Sequence, residues 1–141
     1  MFDVVVVGAD SSETSKRAVE AASAIAAMAG GALHIVTAFD RKSYSELSVP
    51  AEYRSLDHEG EVDAMLQVHS FIAKKHGLEP FLHKEVGDAA DVIIKKAAEL
   101  GADLVVVGNR GMKGVRRVLG SVPNSVVHGA DCSVAIIDTS A

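Results

Sequence analysis

An α/β domain, an open parallel sheet with helices on both faces, is the fold class this sequence predicts. Three observations predict it. Val4 to Val7 is an unbroken run of valines between Asp3 and Gly8, the pattern of a strand buried on both faces and not the alternation of a half-exposed one. Further apolar runs alternate with stretches of helical period along the whole chain, and such alternation builds a parallel sheet. Glycines and short polar side chains punctuate each change of period, with no repeat or low-complexity block between them.

Taken in order, the first strand ends in Gly8-Ala9-Asp10-Ser11-Ser12-Glu13-Thr14-Ser15, small and polar residues that make a turn and cap a helix. From Ser12 to Ala29, Ala18, Val19, Ala22, Ile25, Ala26 and Ala29 recur at helical spacing, and Gly30-Gly31 stops them. Ala32 to Phe39 is the second strand, closed by Asp40. Arg41 to Asp57, with Ser43, Tyr44, Ser45, Ser48 and Pro50 and no period, is expected to be a mobile loop. Glu59 to His76 returns to helix, with Val62, Met65, Leu66, His69 and Ile72 on one face, Lys74-Lys75 in the last turn and Gly77 at the stop. The more polar Glu79 to Val86 predicts a third strand at the sheet edge. Gly87-Asp88 turns the chain and caps Ala89 to Leu100, whose core face is Val92, Ile93, Ala97 and Leu100. Asp103 to Val107 is the fourth strand, Ser121 to Gly129 a helix, and Ser133 to Ile137 the last strand.

With 141 residues, 48% of them hydrophobic, the chain fits one compact domain that needs neither disulfide nor metal for its core. Cys132 is the single cysteine and has no internal partner. No charged n-region and apolar h-region precede Asp3, so a reducing cytoplasm is the expected location. No apolar span is long enough for a membrane helix. A net charge of -5, no tryptophan and 4% aromatics argue against nucleic acid as a partner, which calls for a basic face and stacking platforms.

Charge is distributed unevenly. From Leu104 to Ala130 there is no carboxylate, while Arg110, Lys113, Arg116 and Arg117 stand among Gly108, Gly111, Gly114 and Gly120. Such a segment suits an anion: glycine lets backbone N-H groups approach phosphate oxygens, and the helix starting at Ser121 adds amides of the same orientation. The alternatives are plainer. Gly108 and Gly111 also serve as turn residues, Asp10 as an N-cap, and Arg116 and Arg117 as a solvated face. Right-handed crossovers place ligand sites at the carboxyl ends of the strands, so the loops after the first and fourth strands should lie side by side. Neither a Walker-type Gly-x-x-x-x-Gly-Lys motif nor Gly-x-Gly-x-x-Gly is present. The six histidines show no metal-ligand spacing, Cys132 reads as a small apolar residue, and Asp103 starts its strand at the end away from the site, so Asp10, Asp40 and Asp103 do not form an acid-base set.

Val4-Val-Val-Val-Gly-Ala-Asp10, Gly108-x-x-Gly111 with Gly120-Ser121 behind the fourth strand, and Ser133-Val-Ala-Ile-Ile137 together resemble the universal stress protein family, in its ATP-binding branch, over essentially the whole chain. Met112 to Leu119 is one residue shorter than the family's spacing, with both anchoring ends kept. The resemblance implies a single Rossmann-like domain over residues 1–141, of the adenine nucleotide alpha hydrolase type, with strand order 3-2-1-4-5. It implies phosphate contacts from Gly108, Gly111, Gly120 and Ser121 with Asn109, Arg110 and Val122 alongside, Asp10 at the ribose or adenine end, and Ala9 and Ala38 against adenine. It also implies ATP as a regulatory ligand, with any Mg2+ held mainly by the phosphates, and a homodimer through residues 133–137. Cyclic AMP or another adenine nucleotide is the alternative ligand. A weak ATPase or self-phosphorylating enzyme using Ser121 or Ser125, and an interaction protein without nucleotide, are the alternative functions. No catalytic base stands out.

Overall fold

The computed structural model describes residues 1–39, 51–109 and 121–139, the side chains of 51–58 excepted. In chain order the elements are β1 (Val4–Gly8), α1 (Glu13–Ala29), β2 (Ala32–Phe39), α2 (Ala51–Lys75), β3 (Phe81–Val86), α3 (Ala89–Leu100), β4 (Leu104–Gly108), α4 (Val122–Gly129) and β5 (Ser133–Ile137). Every strand pair is parallel and the order across the sheet is β3-β2-β1-β4-β5, the order the sequence resemblance implies.

The valine run is explained by what lies on either side of β1. Side chains alternate across a strand, so Val5 and Val7 pack with Leu33, Ile35 and Val106 against α1 and α2. Val6 packs with Val36, Val105 and Val107 against α3 and α4 on the opposite face. All three valines are 0% exposed, each contributing roughly 1.5–3 kcal/mol of burial, and this makes β1 the central element. In α1 the residues toward the sheet include Ala18, Ala22 and Ala26, all buried, whose short side chains let the helix lie close.

The helix ends follow from local chemistry. Ser12 caps α1 by accepting from the Ser15 amide, and Gly30 ends it at φ 69°, a left-handed conformation a Cβ would disfavour. Asp88 caps α3 by accepting from the Asp91 amide at 3.2 Å. At the amino end of the sheet the Asp103 carboxylate accepts from the amides of Asp3 at 2.9 Å and Val4 at 3.1 Å, tying the start of β1 to the start of β4.

Two boundaries depart from expectation. The loop expected over 41–57 is corrected from Ala51 onward, where α2 already runs. Ala51, Glu52, Arg54 and Leu56 are strong helix formers following a proline, and propensity carries the helix where apolar periodicity gives no signal. The part of that expected loop within 41–50 lies outside the described residues. β3 begins at Phe81 and not at Glu79: Pro80, just before it, has no N-H to give to a strand ladder. β3 is an edge strand, as its polarity predicts.

Candidate functional site

The direction of the chain across the sheet reverses between β1 and β4, which opens a crevice at their carboxyl ends. A cleft of about 500 Å³ lies there, within the roughly 300–1,000 Å³ usual for small-ligand sites. Its floor is Gly8 and Val107. Its walls come from the turn after β1, the first turn of α1, the end of β2, the start of α3 and the start of α4.

Of the residues singled out in the sequence, Ala9, Asp10, Ala38, Gly108, Ser121 and Val122 all line this one cleft. They come from loops and strands far apart in the chain, and the parallel register brings them together. Arg110, Gly111 and Gly120 lie outside the described residues, as do Lys113, Arg116 and Arg117. Asn109 adjoins the cleft without lining it. Its side-chain N-H donates to Asp138 Oδ1 at 3.0 Å, and its Oδ1 accepts from the amide and the hydroxyl of Thr139, each at 3.0 Å. Its amide donates to the Ile137 carbonyl at 2.9 Å.

The turn after β1 is tightly fixed. Ala9 extends the sheet by donating its amide to the Val36 carbonyl at 2.9 Å. The Asp10 amide donates to Ser15 Oγ at 2.9 Å, and Asp10 Oδ1 accepts from the amide of Ser12 at 2.8 Å and from the Ser12 hydroxyl. Asp10 thus braces the cap of α1, while the cap itself is Ser12.

At two cleft glycines an added Cβ would make a neighbouring side chain shift. A Cβ on Gly8 would stand 2.5 Å from Ile93 Cδ1, and one on Gly108 would stand 3.0 Å from Thr139 Cγ2. Gly108 therefore lets β4 and the segment after β5 meet beneath the cleft, which a mere turn residue would not need to do. At the opposite wall Ser121 caps α4, its Oγ accepting from the Asn124 amide at 3.2 Å. Pro123 has no N-H, so the amides of Ser121 and Val122 are those this helix start can present to an anion, where the helix dipole favours negative charge.

Ser12, Thr14, Ser15, Ala89, Ile93 and Pro123 also line the cleft and were not singled out from sequence. The signal for them was present: a helix that follows a parallel strand starts at the carboxyl edge, so the first turns of α1, α3 and α4 all arrive at this rim. Among the described residues no group of three or more His, Cys, Asp or Glu side chains is placed to share a metal ion. Burial, followed by the charges of Asp103 and Asp131, pushes the Cys132 thiol up from its ordinary value, so it stays protonated, as a small apolar side chain would.

A model of the universal stress protein family matches residues 1–138. Universal stress protein Rv1636 of Mycobacterium tuberculosis is 34% identical, the alignment covering 98% of this chain and 97% of that protein. A crystal structure of a universal stress protein in complex with cAMP superimposes with a TM-score of 0.81 at 35% identity, over 99% of this chain and 98% of that one. The universal stress protein from Archaeoglobus fulgidus in complex with dAMP shares the fold at a TM-score of 0.71 and 22% identity, over 97% of this chain and 98% of that one.

Proposed function

The chain belongs to the universal stress protein family, and from that premise we propose that it is a single-domain regulatory module of the cytoplasmic stress response that binds ATP in the cleft between β1 and β4. The observation that carries this reading is the convergence of Ala9, Asp10, Ala38, Gly108, Ser121 and Val122 on one cleft of nucleotide size. Adenine rests against Ala9 and Ala38, Asp10 meets the ribose, and the phosphates run toward Gly108 and the Ser121 and Val122 amides. Arg110, Gly111 and Gly120 continue the phosphate side, in a segment whose four bases and lack of carboxylates balance a triphosphate. Mg2+, when present, is held mainly by the phosphates. The structural likeness to a relative solved with cAMP, at 35% identity, supports an adenine nucleotide as the ligand class.

The role is regulatory because the polar groups described at the rim hold backbone and caps. Asp10 Oδ1 is engaged with Ser12, and Ser121 Oγ with the Asn124 amide. The module works as a homodimer paired through the edge strand β5, where Ile136 is 38% exposed. The test is to denature the purified protein and identify the small molecule released, then to titrate ATP, ADP, cAMP and adenosine calorimetrically. ATP as the tightest ligand supports the reading. No heat from any of the four at millimolar concentration would refute it, and inorganic phosphate released over many turnovers would replace a regulatory role with an enzymatic one.

A further inference from the structure

His69 is 1% exposed, on the face of α2 that Leu66 and Ala73 bury against the sheet. A leucine would suit such a core position. The histidine instead reaches the turn after β1, its Nε2 lying 3.0 Å from the Asp10 carbonyl oxygen. A carbonyl only accepts, so Nε2 carries a proton. Nδ1 is buried with no hydrogen-bond partner. Among the described residues the ring is therefore held by one hydrogen bond, the bond to Asp10.

That bond adds a third hold on one residue. The Asp10 amide is held by Ser15 Oγ, its carboxylate oxygen Oδ1 by Ser12, and its carbonyl by His69. The first two holds come from within five residues and would travel with the turn if it moved. His69 lies 59 residues away on another helix, so it ties Asp10 to α2, beside the Ala9 bond to Val36 that ties the turn to β2.

We propose that His69 is a positioning residue for the nucleoside end of the cleft, setting through the Asp10 carbonyl the orientation in which Asp10 and Ala9 meet adenosine. His69 does not line the cleft itself. The inference rests on the nucleotide reading given above and adds to it that recognition of the nucleoside is governed from α2. Among the described residues, those of the phosphate side on β4 and α4 have no such link to His69.

The test compares wild type with His69→Leu and His69→Gln by calorimetry, using ATP, adenosine and inorganic tripolyphosphate as probes. His69→Leu should weaken ATP and adenosine by a similar factor, on the order of tenfold for one lost hydrogen bond to a recognition turn, and leave tripolyphosphate unchanged. His69→Gln, whose side-chain amide still donates, should recover part of the loss. Unchanged adenosine affinity in a folded His69→Leu protein would overturn the proposal, and so would a loss extending equally to tripolyphosphate. Because His69→Leu can also fail to fold, imidazole 15N spectra of the wild type supply a second measurement. The Nε2-H tautomer is expected, with a Nε2 resonance that moves on saturation with adenosine; another tautomer or an unmoved resonance would be fatal. Wild type that binds none of the three probes would sink the nucleotide reading itself, and the inference with it.

Discussion

Asn109, one residue past β4, and Thr139, two residues past β5, are joined twice, the single side-chain oxygen of Asn109 accepting from both the amide and the hydroxyl of Thr139 at 3.0 Å. Thr139 is 3% exposed, and its methyl group is the neighbour that a Cβ on Gly108 would meet. The clasp thus fixes the strand end on which the proposed phosphate side of the cleft is built. Asn109→Leu would leave a buried hydroxyl and an amide without this acceptor. We expect a loss of about 1–3 kcal/mol, seen as a lower midpoint in urea unfolding, together with weaker ATP binding. An unfolding midpoint equal to wild type would show that the clasp is ornamental.

Gly111→Val and Gly120→Val should abolish ATP binding with the fold retained, since each adds a branched side chain where the phosphate-side backbone is proposed to approach the ligand. Both positions lie outside the described residues, so circular dichroism must accompany the binding assay. Two folded variants with wild-type ATP affinity would move the phosphate site elsewhere.

Asp10→Ala should weaken ATP, ADP and adenosine alike, because a residue at the proposed nucleoside end does not sense the number of phosphates. The glycine variants should harm ATP more than adenosine. If both classes of variant lose all three ligands equally, the division of the cleft into two ends is wrong.

Val134 packs among the buried residues beneath α3 and α4, whereas Ile136 on the same strand is 38% exposed. Ile136→Asp is therefore the variant that tests the proposed dimer without unfolding the chain: a two-fold contact sets each new charge near its own copy. Light scattering should show a dimeric wild type and a monomeric variant. A wild-type monomer at micromolar concentration would rule the dimer out.

His34 and His83 meet across β2 and β3 with Nδ1 and Nε2 2.9 Å apart. Burial, then the neighbouring His83, lowers the His34 pKa; burial, then Lys96 from α3, lowers that of His83, with Glu85 and Glu99 opposing. Both fall below the ordinary 6.5, so the unfolded chain takes up protons first as pH drops. The stability these groups allow is present above pH 6.5 and is lost as pH falls below it and through their lowered folded-state pKa values. Melting temperature should drop between pH 7.5 and pH 5.5, and more shallowly in a His34→Gln/His83→Gln double variant. Parallel pH profiles for the two proteins would contradict this.

The strands and the two-faced sheet were legible because continuous apolar runs report burial directly, Val4 to Val7 most plainly. The start of α2 at Ala51 was not, since that turn carries helix-forming residues without an apolar period. Asp10 and Ser121 could be placed at the rim from strand ends and helix starts, and Ala9 and Val122 from the family resemblance; all four line the cleft. The Asn109 clasp and the reach of His69 to Asp10 span 30 and 59 residues, and such pairs are set by strand register and helix placement, which no local pattern encodes.

The bond between Asp3 and Asp103 spans 100 residues, and β1 has β4 as its neighbour on that side. During synthesis β1 can pair with β2 early, but its second edge stays open until Leu104 and the residues after it have left the ribosome. For that interval the most apolar strand of the sheet is an unpaired edge, the feature most prone to join another nascent chain. A chain cut short before β4 would leave that edge of β1 without its partner strand.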